Sequence, residues 1–458
     1  MQQLSVVILA AGKGKRMVSD LPKVLHPVGG KPLLAHVLAT ASQLKAGGRW
    51  VVYGHGGEVV KTVFASEEGV QWVEQAEQLG TGHAVGQAMP LLDDGGIVLV
   101  LYGDVPLIRA ETLRPLVAAA RQGGLALLTV ELANPTGYGR IVRDDRGQVQ
   151  RIVEEKDATP SERCLSEVNT GILAVSAARL RGWVAELNND NAQGEYYLTD
   201  IVALAVRDGV PVEPFIVSEP LEVQGVNDRR QLAELERFYQ ARQAEALLDN
   251  GATLLDPARV YIRGAVMTGK DVVIDVSVVF EGTVRLGDRA RIGPFCVLKD
   301  VVIGEDAEIL SHCRIEGAEI GPGAQIGPFA RLRPGARLAA GVHIGNFVEV
   351  KKSNIGPGSK VNHLTYIGDA EIGAEVNVGA GAITCNYDGA SKHRTVIGDG
   401  AFIGSNSSLL APVRIGKGAT VGAGSSVSRD VPDGSLCLTR APRKDVANWR
   451  RPIKPKKG

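Results

Sequence analysis

The chain has 458 residues, more than one compact core usually holds, so two domains, or one domain and a repeat array, are expected. Lys plus Arg equals Asp plus Glu at 51 each, which removes any sequence-wide electrostatic reason to propose a nucleic acid or an anionic membrane as partner and favours small molecules. Gly is frequent at 56 residues and aromatics make up only 5%, a mix that suits many tight turns better than a large aromatic core.

No charged-then-apolar leader is expected, because the first four residues run straight into the strand-like Ser5-Val-Val-Ile-Leu-Ala10. No apolar run approaches the ~18 residues of a membrane span. Cys164, Cys296, Cys313, Cys385 and Cys437 lack any C-x-x-C pairing and read as free buried thiols. A cytoplasmic location is the expectation that fits both.

Residues 4 to 227 alternate short apolar runs with helical patterns, as at residues 6 to 9, 33 to 44, 50 to 53 and 97 to 101, predicting an α/β domain with a mostly parallel sheet. Directly after the first strand comes Leu9-Ala-Ala-Gly-Lys-Gly-Lys-Arg-Met17, with Pro22-Lys23 beyond it. Glycines at such a turn let backbone amides approach a phosphate, and Arg16 and Lys23 add cations. Neither a P-loop nor a dinucleotide fingerprint fits, so the G-x-G element alone reads equally as a structural turn. Residues 97 to 104 end an apolar strand in Asp104, placed either as a Mg²⁺ ligand at the ligand-binding edge of an open sheet or as a simple turn aspartate.

From Asp228, a candidate helix cap, Leu232, Leu235, Tyr239 and Leu247 recur at helical spacing until Asn250-Gly251, predicting a helical linker over residues 228 to 250. Beyond it the period becomes six. Apolar residues fall at Ile274, Phe280, Leu286, Ile292 and Leu298 and continue, with occasional steps of five, to Val378; the series resumes at Ile397 and runs to Val427. Neither a helix nor an ordinary alternating strand has this period. It predicts a prism-like coil in which each six-residue unit turns one aliphatic inward, against the alternative of a Gly-rich linker with chance spacing. Residues 384 to 396 break the phase, an insertion of the kind in which solenoids carry function.

The string over residues 9 to 23 resembles the L-x-A-G-x-G-x-R-M…P-K signature of sugar-phosphate nucleotidyltransferases. That resemblance implies nucleotide contacts from Leu9, Ala10, Ala11 and Gly12, and phosphate contacts from Arg16 and Lys23. Residues 75 to 81 match the family's segment for uracil and ribose, with Gln75, Gly80 and Thr81 as contacts. The family pairs Asp104 with Asn227 as metal ligands, and Tyr102, Gly139, Glu154 and Asn169 match positions for the sugar and its phosphate.

The last third resembles the acetyltransferase half of the bifunctional N-acetylglucosamine-1-phosphate uridylyltransferase / glucosamine-1-phosphate N-acetyltransferase family. With the front end, the resemblance covers nearly the whole chain. It implies a Rossmann-like nucleotidyltransferase over residues 1 to 227, then a left-handed parallel β-helix of hexapeptide repeats with acetyltransferase activity over residues 251 to 458. Arg333, Lys351, Tyr366, Asn377 and Lys392 would bind glucosamine-1-phosphate, with His363 as the base and Glu349 holding His363 or the amine. Asn386 and Tyr387 would lie beside the acetyl group, and Ala380, Ser405, Ala423 and Arg440 against acetyl-CoA. The implied chemistry is acetyl transfer, then uridylyl transfer from UTP with Mg²⁺, in a homotrimer that makes a precursor of peptidoglycan and lipopolysaccharide. His26, His36, His55, His83, His312, His343 and His393 read as surface or structural residues. The basic, Pro-rich end from Trp449 reads as a solvated tail or as a cap on the acetyltransferase cleft. Two rivals remain: a single-activity nucleotidyltransferase with a structural or regulatory β-helix, and a scaffold in which both folds only bind.

Overall fold

Apolar runs in the first half become strands buried along nearly their whole length, as at Leu4–Leu9, Ile97–Tyr102 and Leu125–Glu131. Successive residues face opposite sides, so Val6 and Ile8 enter one apolar cluster while Val7 and Leu9 enter another. A sheet covered on both faces has to be written this way. The computed structural model describes residues 2–12, 14–54 and 56–451 and divides into two compact units, Met1–Gln240 and Ala241–Gly458. His55 and the tail from residue 452 lie outside the described residues.

The first unit is a Rossmann-like sheet in the order Val212–Val217, Leu125–Glu131, Glu167–Ser176, Ile97–Tyr102, Leu4–Leu9, Gly48–Tyr53 and Val70–Glu74. Every neighbouring pair along it is parallel except those of Glu167–Ser176, which is antiparallel to both its neighbours. Leu4–Leu9 pairs with Gly48–Tyr53 on one side and Ile97–Tyr102 on the other, so a crevice opens where the chain leaves Leu9 and Tyr102 in different directions. The hairpin of Arg140–Arg143 and Val149–Val153 joins the sheet through Arg140 and Val168.

The helix Arg229–Asp249 begins as expected, with Asp228 Oδ1 accepting from the amides of Arg230 and Gln231 at 2.9 Å. It ends where Gly251, at φ +87°, allows the closing bonds to Leu247 and Leu248. It is not a free linker. Glu236 accepts from the Gly29 amide at 2.6 Å within the first unit, whereas Ala244 and Leu247 belong to the core of the second.

The second unit is a left-handed parallel β-helix. Every apolar residue of the six-residue series is buried, from Ile274 to Val427. Each stacks on its counterpart one coil away, as Ile274 on Ile292 and Ile292 on Ile309, a step of 18 or 17 residues. Residues such as Phe295, His312, Phe329 and Phe347 adopt φ between +57° and +61° at the corners. The phase does not break at Thr384, contrary to the reading of the sequence. Thr384 is buried in the inward position and pairs with Leu409, because its hydroxyl is satisfied by the amide of Gly368 at 2.7 Å and a carbonyl of the same coil. The extra residues follow it, and Ile372 consequently pairs with Ile397, a step of 25. Nor are all the cysteines buried. All five are free, but only Cys296 and Cys313 are buried, and Cys164 is exposed where a loop leaves it uncovered.

The inward column predicts a sharp contrast between adjacent residues. Ile315→Ala should destabilise the solenoid by about 2–5 kcal/mol, because the column cannot close over the lost methyls. Arg314→Ala, on the exposed side of the same strand, should stay within about 0.5 kcal/mol. Denaturant unfolding of the two variants checks the difference.

Candidate active sites

A cavity of about 500 Å³ opens at the sheet's crevice, lined by Leu9, Ala10, Ala11, Gly12, Lys23, Gln75, Gly80, Thr81, Tyr102 and Asp104 among others. Sequence segments nearly 100 residues apart meet there because their strands are neighbours. A Cβ on Gly12 would meet nothing within 4 Å, so the loop leaves space above it. The glycine that cannot be replaced is Gly14, at φ +56° with Lys23 Cβ 2.9 Å from where its own Cβ would stand. The tight turn thus carries Lys23 into the cavity. Arg16 lies exposed on the short turn Lys15–Met17, outside the cavity lining.

Lys23 Nζ touches Asp104 Oδ2 and lies 3.5 Å from Asn227 Oδ1. One ammonium therefore sits where a carboxylate and an amide oxygen converge. Asn227 is held by its amide, which donates to Gln231 at 2.7 Å, and the neighbouring Val226 amide donates to the Asp104 carbonyl at 2.9 Å. Among the described residues no three His, Cys, Asp or Glu side chains cluster, so any metal here would rely on this oxygen pair and on its own ligands.

Asn169, Gly139 and Glu154 are linked to the same cavity through Tyr102 and the sheet. Gly171 packs against the Tyr102 ring so closely that a Cβ would stand 2.4 Å from it, and its amide donates to Asn169 Oδ1 at 3.0 Å. The Asn169 amide donates to the Gly139 carbonyl at 2.8 Å, and a Cβ on Gly139 would meet Glu154 at 3.4 Å. Burial pushes the Glu154 carboxyl up, against a hydrogen bond from Thr199, and burial with the charges of Glu154 and Asp104 pushes the Tyr102 phenol up as well. Reading the sequence missed Gln78, which lies inside the marked segment 75 to 81 but was not singled out there, and Glu195, which comes from a loop with no motif to mark it.

On the β-helix, Lys351 lies beside Lys392 with Arg333 close by, and the Lys392 ammonium pushes the Lys351 amine down. Arg333 is paired with Glu349 at 2.8 Å, and Asn386, buried, donates to Asp369. Tyr366 stands in register with Glu349 one coil away. Lys392 reaches this group from the insertion, where Asp388 caps its own turn through the amides of Ala390 and Ser391 and pairs with His393 at 2.6 Å. Tyr387 bridges to Lys392 and is otherwise exposed. Asn377 is not brought to this group: it stands in register with Lys360 and Phe402.

His363 is exposed and its Nδ1 lies 2.9 Å from Asn346 Oδ1, a partner the reading of roles missed. Its carbonyl accepts from the Gly381 amide, that of Ala380 from Asn406, and that of Ser405 from Gly424. The same bond repeats from coil to coil, so His363, Ala380 and Ser405 stand one above another on a single edge. Ala423 continues it, since a Cβ on Gly404 would meet the Ala423 amide at 2.4 Å, and Arg440 passes 3.8 Å from where one would stand on Gly424. Gly379 and Gly404, next to this edge, have no room for a side chain, because the following coil approaches them so closely.

Of the other histidines, His312 is stacked between Phe295 and Phe329 at 4.9 and 4.7 Å, and His26 is buried beside Arg229. His36 meets the Val28 carbonyl at 2.8 Å, and burial pushes the His343 imidazole down. His83 touches Gln75 in the cavity wall.

Residues 6–253 match the MobA-like NTP transferase domain, 260–363 the GMPPB C-terminal domain, and 394–429 the bacterial transferase hexapeptide repeats. Along the whole chain, the bifunctional protein GlmU of Alkalilimnicola ehrlichii is 57% identical, covering 98% of this chain and 97% of its own. Those of Marinobacter nauticus and Methylococcus capsulatus are 58% and 59% identical, each covering 99% of this chain and 100% and 99% of their own. Identity at this level over both units, with the matches to the nucleotidyltransferase and hexapeptide-repeat families, shows that the chain belongs to the GlmU family, the bifunctional enzymes of UDP-N-acetylglucosamine synthesis.

Proposed function

We propose that the cavity around Lys23 and Asp104 is the uridylyltransferase site and that the cluster around His363 is the acetyltransferase site. The observation that carries this reading is the crowding of Lys351 against Lys392, with Arg333 close by, on coils that also present His363, because a purely structural solenoid gains nothing from placing two ammonium groups side by side.

In the first unit, Asp104 and Asn227 offer hard oxygen donors at one point that already accommodates a cation, Lys23 Nζ. They would hold Mg²⁺, which when bound neutralises the triphosphate and the attacking sugar phosphate. Lys23, released from Asp104, and Arg16 from its exposed turn would bind phosphate oxygens and align the attack on the α-phosphate. Leu9, Ala10, Ala11 and Gly12 line the nucleotide, with Gln75, Gly80 and Thr81 on uracil and ribose. Tyr102, Gly139, Glu154 and Asn169 bind the sugar; a neutral Tyr102 phenol keeps its donor.

In the second unit, Arg333, Lys351, Tyr366 and Lys392 bind glucosamine-1-phosphate. If His363 Nδ1–H donates to Asn346, Nε2 remains free to take the proton as the amine attacks. The new C–N bond forms, the thioester C–S bond breaks, and coenzyme A leaves as its thiol. The file of Ala380, Ser405, Ala423 and Arg440 suits an extended acetyl-CoA lying along one edge, with Asn386 and Tyr387 at the acetyl end. Asn377 would complete the site from a neighbouring copy in a homotrimer, and the exposed aromatic file of Phe295, Phe329 and Phe347 supports such an assembly. The protein would work in the cytoplasm.

Three outcomes are expected. Asp104→Ala should lose uridylyl transfer and keep acetyl transfer, whereas His363→Ala should lose about 10² to 10⁴ in acetylation rate and keep uridylyl transfer; a mixture of the two should again make UDP-N-acetylglucosamine. Near-normal acetylation by folded His363→Ala would remove the base assignment. Under EDTA, coupled assays should show uridylyl transfer abolished and acetyl transfer spared, and equal losses would count against the metal pair. Co-expressed His363→Ala and Asn377→Ala chains should recover acetylation that neither shows alone, since a mixed assembly contains some intact sites; no recovery would argue that each chain acts by itself.

A further inference from the structure

The side chain of Gln75 is oriented by a chain of hydrogen bonds that runs away from the cavity. Its Nε2 lies 3.0 Å from the Gly80 carbonyl oxygen and 3.1 Å from His83 Nδ1. A carbonyl oxygen only accepts, and Gly80 already accepts from the Ala84 amide at 3.1 Å, so the Gln75 atom facing it has to be the amino group. Both protons of that group are then engaged, one on Gly80 and one on His83. His83 Nδ1 must accept, which leaves the proton of a neutral ring on Nε2, facing Gln87 Nε2 at 3.2 Å, a donor against a donor. Gln87 completes the chain with its oxygen, reached by a half-turn of its amide. The atom left over is Oε1, an acceptor with no hydrogen-bond partner among the described residues, on a buried side chain that lines the cavity.

We infer that His83 is a positioning residue for base selection: by accepting from Gln75 Nε2 it holds Gln75 with its oxygen toward the nucleotide, so that the site takes a base bearing a ring N–H and rejects one bearing a ring nitrogen acceptor. Uracil has such an N–H; cytosine presents a bare nitrogen at the same place. Without His83 only the Gly80 carbonyl opposes a half-turn of the Gln75 amide, so the reversed orientation, with Nε2 toward the base, becomes less costly. The inference rests on the reading of this cavity as the nucleotide site.

The test compares kcat/KM for transfer from UTP and from CTP in the full-length enzyme and its His83 variants. His83→Leu should lower the UTP-to-CTP ratio by at least about tenfold, the scale on which a site built around one hydrogen-bond direction discriminates. His83→Asn, which returns an oxygen acceptor near the Nδ1 position, should keep the ratio within about threefold of the starting enzyme. Acetyl transfer and near-UV circular dichroism report on the amount and fold of each preparation. If His83→Leu does not fold, His83→Gln replaces it: its amide reaches toward the Nε2 position, so it should lose the ratio while His83→Asn keeps it. An unchanged ratio in the folded Leu or Gln variant, or equal losses with UTP and CTP, overturns the role of His83. Absence of uridylyl transfer in the unmodified enzyme, or its survival in Asp104→Ala, overturns instead the reading of the cavity.

Discussion

Backbone hydrogen bonds between successive coils hold them about 4.8 Å apart, and the second unit depends on that spacing. With the spacing set, a residue's place in its coil decides which edge it occupies, and residues 17, 18 or 25 apart in the chain become vertical neighbours. The inward aliphatics keep the register, since a slip of one residue would turn each of them outward. The file of His363, Ala380 and Ser405 is therefore a by-product of the core that buries Val361, Val378 and Ile403 two residues earlier in each coil.

The first unit positions its groups by a different device. Parallel strands deliver their following loops to the same edge, and Leu4–Leu9 and Ile97–Tyr102 deliver theirs on opposite sides of one crevice. Gly14 and Lys23 come from one loop, Asp104 from the other, and Asn227 from the segment before the long helix. None of these side chains belongs to the apolar clusters that stabilise the sheet, so chemistry and core are separable in each unit.

Cations are gathered in both units, by different means. In the solenoid, Lys351 is crowded by Lys392 and Arg333, and its amine is pushed down as a result. In the first unit the same cost is avoided by parking Lys23 on Asp104. On the proposed reading an incoming triphosphate would compete for a lysine already in place, and the carboxylate so freed would become available to a metal.

The sequence by itself determined the fold of both units, because strand alternation and the six-residue period are local patterns that only one kind of structure can bury, and it marked the groups carried by contiguous motifs such as residues 9 to 23 and 384 to 396. It misjudged Thr384, since polarity alone hides the hydroxyl's partners on Gly368, and it could not show that His83 meets Gln75, since nothing in a string shows which atom a ring nitrogen faces. Only the tertiary structure decided those partners, the pairing of His363 with Asn346, the contact of Lys23 with Asp104 and the separation of Asn377 from the lysine cluster. Each is a matter of ångström distances between segments remote in the chain, set by strand register and coil stacking and not by the identity of the residues alone.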